Sequence, residues 1–206
     1  MLFDLHVHQS EHSADSILSI EQAVLDAKNK NLNGICITDH DDLGLRDQAR
    51  LLSLKHGITI IVGVEIYTYD GDLLCFGVDE MPERMSAKET IEFVHERGGI
   101  CIAAHPYRHN NRGVKDELFN LNLDAIEAFN GRTMYEDNVK ALEVARTLGI
   151  PVTGGSDAHT PGEIGNYVTK FENEIYNEFD FIQAIKSGEF SPVTLNGLSI
   201  DTRKLA

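Results

Sequence analysis

The sequence predicts an α/β fold whose strands close into a βα barrel, with the functional site at the carboxyl ends of the strands. Apolar β-like runs alternate with helix-like segments along most of the 206 residues, a pattern typical of parallel sheets. Short histidine and aspartate clusters follow several of these runs, and barrel strands gather their carboxyl ends around one mouth. An open doubly wound sheet usually carries a glycine-rich loop after its first strand. No such loop follows Val7.

The predicted elements follow apolar periodicity and local stop signals. Strands are predicted, in chain order, over 3–7, 34–38, 58–66, 73–78, 100–104, 124–129, 151–154, 167–171 and 192–195. Helices are predicted over 19–31, 43–56, 86–97, 134–148 and 179–186. Ser86 and Glu89 have the spacing of a capping box, and Gly149 and Gly188 are typical helix ends.

Length and composition predict one domain over residues 1–206, because no low-complexity linker interrupts the chain. The first residues lead directly into a strand pattern, and no run of about 18 apolar residues occurs. We therefore expect a cytoplasmic protein without a membrane partner. Cys36, Cys75 and Cys101 lie singly in apolar runs, which predicts reduced core thiols.

The net charge of −15 limits the class of partner. An acidic surface repels phosphate backbones, so we expect no binding of long nucleic acid. Bound divalent ions would offset the candidate carboxylates Asp15, Glu65 and Asp157 locally. A small phosphorylated substrate is therefore compatible with this composition. The sequence does not predict an oligomeric state.

The histidine clusters predict a multinuclear metal centre. His6 and His8 are two residues apart in a predicted strand, so both side chains project to the same face. Asp157 and His159 have the same spacing in a distant part of the chain. One His-x-His pair is weak evidence, but further clusters at His40 and His105 make chance occurrence a poor explanation.

The donor types predict the chemistry. Imidazoles with carboxylates suit zinc, manganese or iron rather than magnesium or calcium. Two such ions about 3.5–4 Å apart bridge a water as hydroxide and stabilise the charge that develops on a phosphoryl group. Hydrolysis of a phosphate ester is the expected reaction. Asp4 and Asp39 precede candidate ligands, and each either orients a ligand ring or has a capping or surface role.

The motifs in chain order are Asp4-Leu5-His6-Val7-His8, Asp15, Thr38-Asp39-His40, Gly63-Val64-Glu65, Ala104-His105-Pro106 and Ser156-Asp157-Ala158-His159. This set resembles the PHP (polymerase and histidinol phosphatase) family of metal-dependent phosphoesterases from residue 4 to about 160. The resemblance implies a single domain with a distorted, TIM-like (βα)7 barrel. It also implies two or three divalent transition-metal ions at the barrel mouth.

Carried over residue by residue, the resemblance implies three ligand groups. His6, His8, Glu65 and Asp157 would hold one ion, Glu65 and His105 a second, and His40 and His159 most of a third. Glu65 would thus bridge two ions. Glu65, Asp157 and His159 are the predicted catalytic residues, with His159 a general acid only where metal binding leaves it free.

One ligand position departs from the family pattern. His12 and Asp15 both follow the His-x-His pair. We favour Asp15, because Ser13-Ala14-Asp15-Ser16 resembles the family form, whereas His12 would give the third ion a neutral donor. We predict that His56 and His95 are structural helix residues and that His109 faces solvent.

Four residues are candidate substrate contacts. Arg108 and Arg112 follow His105, and Asn130 and Arg132 follow another predicted strand. A guanidinium binds phosphate through two parallel hydrogen bonds. The alternatives are solvated surface arginines and an Asn-Gly turn at residue 130.

These observations favour a phosphatase or phosphodiesterase that acts on a small phosphorylated metabolite, for example a nucleotide or a phosphorylated amino alcohol. A metal-dependent hydrolase of another bond, such as a carboxamide, is the first alternative, and it would gain little from three arginines. A non-catalytic metal-binding accessory domain is the second, and the complete ligand set weakens it.

Overall fold

The structure, a computed structural model, describes residues 1–195. Its strands are β1 Leu2–Val7, β2 Gly34–Ile37, β3 Thr59–Val62, β4 Val64–Tyr67, β5 Asp72–Phe76, β6 Ile100–Ala103, β7 Ala125–Asn130, β8 Val152–Gly155, β9 Val168–Phe171 and β10 Phe190–Val193. Its helices are α1 Ile20–Asn29, α2 Arg46–His56, α3 Ala87–Glu96, α4 Tyr135–Leu148 and α5 Glu178–Ser187, with one 3₁₀ turn at Lys115–Asn120. The predicted mixed α/β class is confirmed.

The strands form two five-stranded sheets, in the orders β10-β9-β1-β2-β3 and β4-β5-β6-β7-β8. β1, β2 and β3 are parallel, as are β6, β7 and β8. β5 runs antiparallel to both β4 and β6. The predicted parallel arrangement therefore holds for two groups of three strands, and a hairpin interrupts the second sheet.

The predicted TIM-like barrel is not confirmed, because the described residues form two sheets rather than one closed cylinder. Isolated bridges join the sheets at Val7 with Ala158 and at His40 with Glu65. The segment 58–66, predicted as one strand, divides at Gly63. A Cβ atom there would lie 2.4 Å from the Phe76 ring, so glycine permits the close approach at which the chain passes between sheets.

The predicted helix signals are present in most cases. Ser86 and Glu89 form the capping box that opens α3, and Gly149 and Gly188 end α4 and α5 in the left-handed conformation. The prediction for α2 began too early, since the helix starts at Arg46. The 3₁₀ turn was not predicted.

The core is apolar and lies between the sheets and the helices. Phe76, Phe171 and Phe181 pack edge to face in one of its clusters. All three cysteines are buried free thiols, as predicted, with Cys75 Sγ 3.7 Å from Cys101 Sγ. No helix within residues 1–195 is both long enough and apolar enough to cross a bilayer.

Candidate metal centre

The predicted ligand side chains meet at the ends of strands from both sheets. His6 lies within β1 and His8 just after it, and His40 follows β2. His105 follows β6, and Asp157 follows β8. The Nε2 atoms of His6 and His8 are 3.0 Å apart, so the alternation predicted for β1 brings both rings to one point.

Glu65 is the central carboxylate of this cluster. Its Oε1 lies 2.8 Å from His105 Nε2, and its Oε2 lies 2.9 Å from His40 Nδ1 and 3.4 Å from His8 Nε2. The side chain is 1% exposed. Imidazoles from three separate segments thus surround its two oxygens, which is the arrangement expected of a bridging ligand.

Asp157 faces His6 and His8. Its Oδ1 lies 3.6 Å from His6 Nε2 and 3.4 Å from His8 Nε2. Asp157 has φ 56° and His105 has φ 30°, values that non-glycine residues rarely adopt and that concentrate at functional sites. Before Asp157, a Cβ at Gly155 would lie 2.7 Å from His6 Cβ, so this strand end requires glycine.

The structure separates His12 from Asp15. Asp15 Oδ2 lies 3.4 Å from His40 Nε2 and 3.3 Å from His159 Nε2. His12 instead pairs with Asp42 at 2.9 Å. Of the two alternatives left open by the sequence, only Asp15 points to the cluster.

The contacts at Nδ1 orient the Nε2 atoms of the imidazole rings toward the centre. His6 Nδ1 lies 2.9 Å from Glu127 Oε1, and His159 Nδ1 lies 2.9 Å from the Asp157 carbonyl oxygen. Both partners can only accept, so the ring hydrogen is on Nδ1. His8 Nδ1 contacts Ser13 Oγ at 3.3 Å. Imidazoles that are fixed at Nδ1 and whose Nε2 atoms converge on one place are typical of metal sites.

These donors fit a centre for transition-metal ions. Within residues 1–195, four overlapping groups have donor atoms within 4.8 Å of one another: His8, His40 and His159; His6, His105 and Asp157; His6, His8 and Glu65; and Glu65, Asp72 and His105. Nearly all of these side chains are buried. Buried imidazoles and carboxylates that share so small a volume suit zinc, manganese or iron.

The electrostatics of the ion-free cluster favour a cation. Burial opposes ionisation of Glu65 and Asp157, but neighbouring groups, His6 first, hold the pKa of both carboxyls well below their usual range. Burial lowers the pKa of His8 to about 4. His6 is buried too, yet Glu127, Asp157 and Glu65 raise its pKa well above the usual value. The carboxylates are therefore ionised at neutral pH.

Sequence reasoning missed two buried acids beside the cluster. Glu127 accepts from the His105 backbone N–H at 3.0 Å and from Asn130 Nδ2 at 2.9 Å, in addition to its His6 contact. Asp72 begins β5, and burial together with Glu65 raises its pKa to about 8. The available signal was an acidic residue within or at the start of an apolar strand.

Asp4 and Asp39 do not orient ligand rings directly. Asp4 accepts from the backbone N–H groups of Ser156 at 2.8 Å and Gly165 at 2.7 Å. Asp39 accepts from Gln9 N and Ser13 Oγ, each at 2.8 Å. Asp4 lies deeper in β1 than the histidines, so its carboxylate meets backbone instead of a ring.

The three arginines line a cavity of about 410 Å³ together with the candidate ligands. Arg108 donates to Thr133 Oγ1 at 3.1 Å and to Asn130 Oδ1 at 2.7 Å, and it also pairs with Asp157. Arg112 Nε pairs with Asp72 at 2.7 Å.

Arg132 is the most exposed of the three, at 42%, and its Nη1 lies 3.4 Å from Glu163. Asn130 is fully buried and hydrogen-bonds within the protein. It therefore supports the cluster from behind and does not line the cavity.

The remaining histidines lie away from the cluster. His56 and His95 belong to α2 and α3, and His95 pairs with Asp124 at 2.8 Å. His109 has a side chain that is 83% exposed, as predicted.

Known proteins resemble this chain in sequence and fold. The uncharacterized protein MJ1587 of Methanocaldococcus jannaschii is 31% identical over 160 residues, which cover 72% of this chain and 94% of the relative. The phosphoribosyl 1,2-cyclic phosphate 1,2-diphosphodiesterase of Eggerthella lenta is 29% identical over 75 residues, 36% of this chain and 29% of the relative.

A solved structure shares the fold. It is a protein of Bifidobacterium adolescentis assigned provisionally to the metal-dependent phosphoesterases, with a TM-score of 0.67 and 19% identity over 89% of this chain and 95% of that chain. The family model of the PHP domain matches residues 4–148, and the PHP-associated model matches residues 136–190. These findings support a metal-dependent hydrolase, and the chain belongs to the PHP domain family.

Proposed function

We propose that the protein is a metal-dependent phosphoesterase that cleaves a phosphate ester of a small phosphorylated metabolite. One observation carries this proposal: three arginines and the candidate metal ligands line the same cavity of about 410 Å³. This volume suits a small molecule. The net charge of −15 disfavours a long polyanion at the surface.

The ligand roles rest on the contacts around Glu65 and Asp15. His6, His8, Glu65 and Asp157 are the donors for one ion, Glu65 and His105 for a second, and Asp15, His40 and His159 for a third. Bound zinc, manganese or iron would supply an activated water and would stabilise negative charge on the phosphoryl oxygens. Glu65 contacts donors of all three groups, which supports its bridging role.

The three arginines have different contacts, and we assign them different roles. Arg108 uses Nε and Nη2 on protein acceptors, including Asp157, so it holds that carboxylate in place at the cavity wall. Among the described residues, the Arg132 side chain makes one long contact, with Glu163, so Arg132 is better placed to bind a phosphate oxygen. Arg112 pairs with Asp72 and stacks on the Tyr67 ring at 4.2 Å, and it lines the same cavity.

The test combines metal content with ester hydrolysis. Protein purified without added metal is analysed for its elements and then assayed with p-nitrophenyl phosphate, bis(p-nitrophenyl) phosphate and a panel of small alkyl phosphates. We expect two or more transition-metal ions per chain, and hydrolysis of at least one ester that chelation abolishes and added metal restores.

Glu65→Gln is the test variant and the exposed Glu117→Gln is its control. We expect the first to lose hydrolysis by at least about 100-fold, since it removes a charged donor shared by two sites, and the second to retain it. A metal-free protein, or metal-loaded protein that cleaves none of the esters, would overturn the proposal.

A further inference from the structure

Asp72 is the first residue of β5 and lies at the end of the second sheet that carries candidate metal ligands. β5 runs antiparallel to its neighbours, so its first residue lies beside the last residues of β4 and β6. The Asp72 backbone N–H donates to the Arg112 carbonyl at 2.7 Å, and the side chain is 1% exposed. The hairpin thus presents a buried carboxylate to the end of the sheet where Glu65 and His105 meet.

The geometry groups Asp72 with two predicted ligands. Its Oδ2 lies 3.9 Å from His105 Nε2, which in turn lies 2.8 Å from Glu65 Oε1. One donor atom from each of the three residues fits within 4.8 Å. The distance between Asp72 Oδ2 and His105 Nε2 is too long for a hydrogen bond but is in the range that separates two ligands of one ion.

A structural ion pair explains only part of this arrangement. Arg112 Nε binds Asp72 Oδ2 at 2.7 Å, whereas the buried Oδ1 has no hydrogen-bond partner within the described residues. A buried carboxylate oxygen without a partner is costly. The Glu65 carboxylate lies in the same group, so an ionised Asp72 would face a second buried negative charge, and the two would repel unless a cation lay between them.

We propose that Asp72 is the further ligand of the second ion, alongside Glu65 and His105. This inference rests on the metal centre of the proposed function. With Asp72, the second site has two carboxylates and one imidazole, whereas the third site has one carboxylate, Asp15, and the imidazoles of His40 and His159. Harder ions such as Mn²⁺ prefer oxygen, whereas imidazoles suit Zn²⁺. The second site therefore prefers Mn²⁺, and the third site prefers Zn²⁺.

The experiment counts bound ions and does not depend on turnover. Full-length protein is stripped with chelator, loaded with Mn²⁺ or Zn²⁺, freed of excess metal by gel filtration and analysed for its elements. Asp72→Asn is expected to retain about one fewer Mn²⁺ per chain than the original protein while it keeps its Zn²⁺ at the third site. Asp79→Asn, an exposed aspartate near the end of the same hairpin, is the charge-matched control and is expected to bind the full number.

Arg112→Gln separates ligation from the ion pair. It removes the Arg112 partner but leaves the carboxylate, so it is expected to keep the full Mn²⁺ count. Asp72→His supplies a different donor at the same place, and it is expected to restore the lost ion with a shift toward Zn²⁺. Both variants are checked for native melting before loading.

The outcomes distinguish this inference from the proposed function. If the original protein binds no metal, the proposed function falls together with the ligand role. If the original protein binds metal and Asp72→Asn retains the same Mn²⁺ count, only the role of Asp72 is overturned. Equal loss of Mn²⁺ in Asp72→Asn and Arg112→Gln would also overturn it, since the ion pair would then explain the effect.

Discussion

His6 Nδ1 lies 2.9 Å from Glu127 Oε1, although 121 residues separate the two along the chain. The other Glu127 oxygen accepts from the His105 backbone N–H at 3.0 Å. One buried carboxylate thus fixes the ring of one candidate ligand and the backbone of another. The contact links β7 to the ends of β1 and β6.

Glu127→Gln is expected to weaken metal binding by about 10–100-fold, the usual effect of losing a carboxylate behind a histidine ligand. The amide can accept only through one atom, and its NH₂ group would oppose the donors of His105 and Asn130. Competition with a chromophoric chelator measures the affinity, with the exposed Glu117→Gln as the control. Unchanged affinity in Glu127→Gln would show that His6 needs no such support.

Asp15→Asn and His12→Gln form a matched pair for the third ion. Asp15 contacts His40 and His159, whereas His12 pairs with Asp42. We expect elemental analysis to show fewer ions per chain in Asp15→Asn and the original number in His12→Gln. The reverse result would assign the ligand to His12 and would contradict the arrangement in the structure.

Metal affinity is expected to increase with pH. Although His6 is buried, its acidic neighbours raise its pKa well above the usual value in the ion-free protein, and an ion must displace that proton. Calorimetry in buffers of different ionisation enthalpy measures the protons released on binding. His8, with its pKa lowered to about 4, contributes none at neutral pH.

The same shift predicts the stability of the ion-free protein. A raised folded-state pKa contributes stability that is complete below the unfolded value near 6.5 and is lost as pH rises through the folded value. Urea unfolding of the chelated protein is therefore expected to show stability that declines as the pH rises above about 6.5 toward the folded-state value. For the metal-binding prediction, a metal affinity that does not change between about pH 6 and 9 would contradict the assignment of the displaced proton to His6.

Arg108→Gln and Arg132→Gln are expected to change different kinetic constants of the proposed phosphoesterase. Arg108 holds Asp157 and Asn130, so its loss lowers kcat and also weakens metal binding. Arg132 is exposed and only weakly engaged, so its loss raises KM by about tenfold, the value of one charged hydrogen bond, with little change in kcat. Steady-state kinetics at saturating metal checks this split. Identical effects of the two variants would refute the separate roles.

The sequence alone was sufficient to predict the features that depend on a few consecutive residues. The alternation in β1 predicts that His6 and His8 share a face, and the capping box predicts the start of α3. The division at Gly63 was not predicted, because it depends on the Phe76 ring that packs there. Closure of the barrel likewise depends on pairings between distant strands, and the described residues form two sheets instead.

The sequence by itself determined which donor types this protein carries and that they lie at the ends of apolar strands, because residue chemistry and strand periodicity are properties of a few consecutive residues. Only the tertiary structure decided that Asp15 and not His12 turns toward the cluster. It also decided that Glu127 lies behind His6 and that Asp72 lies beside Glu65 and His105. These relationships join residues from separate strands, and the packing of the two sheets, which no local pattern encodes, sets their distances.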